Sequence, residues 1–122
     1  MTDFASAGRR ACLLAALLAG GCAGLQPVRM AAPDPGAVAA LNRFMPSECN
    51  GTLASVLAGA RIPVSQVSGL TYGVVYGELT DAIIRHEAWV SLTGQPGAAV
   101  VVMDRYCQPT QIYTRGGARL PA

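Results

Sequence analysis

An α+β fold, with N-terminal helices packed on a small, mainly antiparallel sheet, is predicted by three observations. Apolar residues recur at helical spacing up to residue 60 and alternate from Leu70 onward. The run Ala98-Ala99-Val100-Val101-Val102-Met103 is β-branched and belongs inside a sheet. Clusters of turn formers, above all Thr93-Gly94-Gln95-Pro96-Gly97, separate the segments.

The elements follow in order. Asp34-Pro35 opens a first helix, with Asp as N-cap, Pro at the first helical position and Val38, Leu41 and Phe44 or Met45 on its apolar face; Pro46 ends it. A second helix carries Leu53, Val56, Leu57 and Ala60 at i, i+3, i+4, i+7, with Ser47 and Asn50 as candidate caps, Cys49 at its N-terminal end and Pro63 as its stop. Leu70, Tyr72, Val74 and Tyr76 then alternate with Thr71, Gly73, Val75 and Gly77, a strand with one bulky face and one nearly bare face against which something packs closely. Residues 82 to 92 fit both a strand and a helix face, and the turn that follows favours a strand paired with 98 to 103, ended by Asp104. Gln111 to Thr114 adds a short last strand, and Arg115-Gly116-Gly117 begins a frayed tail.

The N-terminus has a different character. Arg9-Arg10 precedes an apolar run from Ala11 to Gly21 that ends in Leu18-Ala19-Gly20-Gly21-Cys22, too short to span a bilayer, which takes ~20 apolar residues. This pattern resembles the lipobox of bacterial lipoproteins. The resemblance implies a signal peptide over 1–21, a lipidated Cys22 as first mature residue and attachment to the membrane through that lipid. Ala23 in the next position resembles the outer-membrane sorting context of enterobacterial lipoproteins, so the periplasmic face of the outer membrane is the expected location. Residues 22–33, with Pro27 and Pro33, read as a tether, and 34–122 as one small domain. About 100 mature residues suffice for one core that buries roughly 60 to 70% of the chain surface. All nine basic residues are arginine, and the mature part sets seven of them against six acids, a balance that argues for no acidic partner, so no nucleic acid is expected.

Export leaves only Cys49 and Cys107 as domain cysteines, and an oxidising compartment favours their closure into a bridge. Glycine-rich phosphate loops, GxSxG and a zincin helix are absent from the sequence. Zinc on Cys49, His86 and Cys107 lacks any local ligand pair, so neither a metal nor another cofactor is expected. One constellation carries chemistry: Cys49 at a helix start, where the dipole favours thiolate, His86 on a strand, and Asp104 at the end of the next strand. Cys49-Asn50-Gly51-Thr52-Leu53-Ala54, Ala60-Arg61-Ile62-Pro63-Val64, His86-Glu87-Ala88-Trp89-Val90-Ser91-Leu92 and Val100-Val101-Val102-Met103-Asp104 resemble, in that order, the nucleophile helix, its exit, the histidine strand and the aspartate strand of transglutaminase-like cysteine proteinases of the papain-like fold. The resemblance covers Cys49 to about Tyr106. It implies a hydrolase of protein or peptide amides, with Cys49 as nucleophile, His86 as general base and Asp104 orienting it. The alternative is a non-enzymatic envelope module, stapled between Cys49 and Cys107, whose sheet or glycine face binds a partner protein. The two readings compete for one sulfur.

Overall fold

Residues 28–121 are described by a computed structural model, so the signal peptide, Cys22 and the start of the tether lie outside the described residues. Helix α1 (Ala37–Phe44) and helix α2 (Asn50–Gly59) precede a short 3-10 turn (Val64–Gln66) and four strands, β1 (Val67–Tyr76), β2 (Ile83–Leu92), β3 (Ala98–Asp104) and β4 (Pro109–Arg115). The strands form one antiparallel sheet in the order β1-β2-β3-β4, each hairpin neighbour pairing with the next. The predicted α+β class and the strand over 82–92 are therefore present. No helix among the described residues is long and apolar enough to cross a membrane.

Helix α1 starts later than its sequence suggests. Asp34 does not cap it; Gly36, at φ 76°, is the N-cap, a left-handed conformation that glycine adopts without steric cost. Asp34 instead offers Oδ2 to the Val64 N–H at 3.5 Å. Its buried face carries Ala37 and Leu41, while Val38 and Phe44, expected on the apolar face, are exposed. Helix α2 buries Leu53, Val56 and Leu57 as expected. Its C-terminus closes in a Schellman arrangement, the Ile62 N–H donating to Leu57 O at 2.9 Å and the Arg61 N–H to Ala58 O at 3.1 Å. Arg61 takes the left-handed position usually given to glycine, at φ 61°.

The core lies between the helices and one sheet face, where Leu70, Ala88, Val90, Leu92, Ala99, Val101 and Met103 meet Leu41, Leu53 and Leu57. On the opposite face, Val100 is fully buried although no described helix covers it. It pairs with Trp89 on one side and Tyr113 on the other, and the Arg115 guanidinium lies 5.7 Å from both ring centroids. Long side chains thus shield on this face what helices shield on the other. The same tryptophan answers the glycine face: a Cβ on Gly73 would stand 3.9 Å from Trp89 Nε1, so the packing partner comes from the neighbouring strand.

Both ends of the described chain are docked. The Ala31 N–H donates to Ser55 O at 3.0 Å, and a Cβ on Gly59 would collide with the Arg29 carbonyl, so this part of the expected tether lies against α2. The expected frayed tail is pinned as well. Gly116 and Gly117, at φ 67° and 94°, turn the chain back, Ala118 is buried, Leu120 packs on the core and the Arg119 N–H donates to Gln95 Oε1 at 2.7 Å.

Candidate functional site

Cys49 is the N-cap of α2 and is fully buried. Its N–H donates to Ser47 Oγ at 3.1 Å and its carbonyl accepts the Leu53 N–H at 2.9 Å, so the backbone is fixed on both sides of the sulfur. Cys49 is disulfide-bonded to Cys107 across 58 residues, with the Cα atoms 5.1 Å apart, inside the range that a bridge spans without backbone movement.

Cys107 sits in the β3–β4 connection in a left-handed conformation, φ 63°, which costs a residue bearing a Cβ about 1–2 kcal/mol. Asp104 stabilises that turn. Its Oδ1 accepts the N–H of Tyr106 at 2.8 Å and of Gln108 at 2.9 Å, while its carbonyl accepts the Cys107 N–H at 3.1 Å and its own N–H donates to Gln108 O at 2.9 Å. Asp104 is thus an organiser of the loop that presents Cys107.

His86 is 7% exposed and lies on the core face of β2, opposite Val74 on β1 and Met103 on β3. A ring nitrogen of His86 and the two sulfurs of Cys49 and Cys107 all lie within 4.8 Å of one another. The fold therefore brings Cys49 and His86 together, as the sequence predicts, but it does not bring Asp104 to His86. Asp104 pairs with Arg85, one residue before His86, and strand alternation sends its side chain to the other side of the sheet. Arg85 in turn meets Glu87 at 3.2 Å, a half-exposed ion pair of little energetic weight.

Beside the bridge runs a polar network that the sequence does not announce. Asn50 is fully buried; its Nδ2 donates to Asn42 Oδ1 at 2.6 Å and to Met45 O at 2.9 Å, and its Oδ1 accepts the Tyr72 hydroxyl at 2.8 Å. Burial pushes the Tyr72 phenol up to about 12, with the Ser47 hydroxyl pulling it slightly back. Asn50 thus ties the end of α1, the start of α2 and the middle of β1 into one unit. At the outer edge of β1, Met45 Sδ accepts the Tyr72 N–H at 3.4 Å, which blunts that edge as a pairing template. The only sequence signal for this network is a tyrosine on the bulky face of β1 together with an asparagine at a helix start.

With the bridge closed, this arrangement staples α2 to the β3–β4 loop beside a buried histidine. No family model, curated protein or solved structure matches the chain.

Proposed function

We propose that the protein is a bacterial envelope lipoprotein, anchored through lipid on Cys22 at the periplasmic face of the outer membrane, whose disulfide-stapled domain is a non-enzymatic module that binds a partner protein. The observation that carries the module reading is the bond between Cys49 and Cys107, which occupies the sulfur a hydrolase would use. A closed bridge between the two domain cysteines also suits an oxidising compartment. Asp104 spends its carboxylate on the Cys107 turn, which suits a staple better than a triad. The open sheet face supplies the partner surface: Trp89, Tyr113 and Arg115 are of the types enriched at protein interfaces, and they are held by one another and by the strands beneath.

Two experiments test this reading. Replacing Cys22 with Ser abolishes labelling by radioactive palmitate and leaves an unprocessed precursor, because lipid transfer requires that sulfur; label retained on the variant would remove the anchor. A photo-crosslinking residue at Thr71, exposed opposite Trp89 on the open face, yields a discrete adduct with one envelope protein in living cells, whereas the same residue at exposed Arg43 on α1 does not. Absence of any adduct at Thr71, or equal adducts at both positions, would count against the module.

A second reading, a transglutaminase-like cysteine hydrolase acting on protein or peptide amides, is favoured by the approach of His86 to Cys49 at the start of α2. It requires the bridge to be open, and Asp104 would then have to be replaced by another orienting group.

A further inference from the structure

A plain staple has no use for the imidazole beside it. His86 is only 7% exposed, and one of its ring nitrogens lies within 4.8 Å of both sulfurs of the bridge, a placement that the staple itself does not require. We propose that the Cys49–Cys107 bridge, once reduced, forms with His86 a three-ligand site for one zinc ion, leaving a fourth position open to water or an exogenous ligand. The inference rests on the bridge and its histidine and is independent of what the open sheet face binds.

The geometry supports it on three counts. First, the ligand set is of the right kind: two thiolates and one imidazole form a known zinc-binding set with an open position. Second, the reach is short. Zn–S bonds of about 2.3 Å and Zn–N bonds of about 2.0 Å place tetrahedral ligand atoms about 3.5 to 3.8 Å apart, so a histidine nitrogen now within 4.8 Å of both sulfurs needs to move by about 1 Å. The sulfurs, on Cα atoms 5.1 Å apart, must separate from bonded contact to that ligand spacing. Third, the ligand backbones are anchored without the bridge: Cys49 by Ser47 and Leu53, Cys107 by the Asp104-centred turn, and His86 by its ladder between Val74 and Met103. Charge also balances. Two thiolates, one neutral imidazole and Zn²⁺ sum to zero, which suits a place where Cys49 is fully buried and His86 only 7% exposed.

The chemistry is reversible and closed in electrons. A vicinal dithiol reductant passes two electrons and two protons to the bridge, whose S–S bond breaks as the reductant closes its own disulfide. Zinc then displaces both thiol protons to solvent. Withdrawal of two electrons by a disulfide oxidant re-forms the bridge and releases the ion. The two sulfurs thus serve either as staple or as metal ligands.

The test uses the full chain carrying Cys12→Ser and Cys22→Ser, so that Cys49 and Cys107 are its only cysteines. The protein is reduced with a water-soluble phosphine, which becomes phosphine oxide, freed of reagent without oxygen, and titrated with Co²⁺ as a spectroscopic substitute and then with Zn²⁺ against a chromophoric chelator. The expected result is one ion per chain, thiolate-to-cobalt charge transfer with tetrahedral d–d bands, and no binding before reduction. His86→Ala, whose bridge still forms, weakens binding at least ~10-fold after reduction. Far-UV circular dichroism is followed throughout. If reduction loosens the chain, zinc restores the native spectrum in the parent and not in His86→Ala. Failure of the reduced parent to bind one equivalent, or equal affinity in His86→Ala, would overturn the proposal.

Discussion

Opening the Cys49–Cys107 bridge, by reduction in the absence of metal or by replacing Cys107 with Ser, lowers the free energy of unfolding by about 4 kcal/mol, because a closed loop of 58 residues strongly restricts the unfolded chain. In a domain of this size the change moves the melting temperature down by roughly 20 °C. Urea denaturation of the oxidised and reduced protein measures it. The loss falls mainly on the unfolded state, since Cys107 keeps its turn through Asp104 and Cys49 keeps its place through Ser47. A shift of under about 1 kcal/mol would mean that the bridge is incidental to the fold.

Replacing Asn50 with Leu costs about 3 kcal/mol, the second largest loss expected of a change at this site. The side chain keeps the same branched skeleton but is bulkier, so the penalty combines some overpacking with the stranding of its partners: the Tyr72 hydroxyl and the Met45 carbonyl both lose their bond to it in a place where water enters poorly. Tyr72→Phe removes one of these bonds and costs about 1 kcal/mol; the double variant costs less than the sum, because the two share a bond. The network also sets a pH dependence. Tyr72 holds its proton to about 12 in the folded state against 10.0 as its ordinary value, so its contribution is complete below pH 10.0 and is lost as pH rises through that window toward 12. Denaturation midpoints of oxidised protein should fall across that range in the parent and much less in Tyr72→Phe.

Local signals in this chain were informative, and long-range register was not. The turn Thr93 to Gly97 decided the ambiguous segment 82–92 in favour of a strand, and the β-branched run set its partner, so the hairpin that carries His86 was legible. The helix that Cys49 caps was legible from Leu53, Val56 and Leu57. Asp104 shows where such reasoning stops. Its position at a strand end was correct, yet whether it faces His86 or Arg85 depends on pairing register, and a one-residue difference sends the side chain to the opposite face. Asn50 looked like a cap because capping is local; its true partners are Tyr72, 22 residues away, and Asn42 on the preceding helix. Gly36 displaced Asp34 as the cap of α1 because Pro35 and Gly36 first complete a turn, which apolar spacing does not reveal. The cysteine pairing was legible as one of two fates for Cys49, through arithmetic on the cysteines left after export.

The thiol state of Cys49 in the native protein decides between staple and nucleophile most directly. Protein taken from cells under non-reducing conditions is treated with iodoacetamide near neutral pH and mapped by peptide mass. A stapled module gives no alkylation at Cys49 or Cys107 before reduction, a linked peptide pair lighter by two hydrogens, and alkylation of both after reduction. Selective alkylation of Cys49 without reduction, lost in His86→Ala, would contradict it, because an ordinary thiol of pKa about 8.5 reacts slowly there and only an activated one would label so readily.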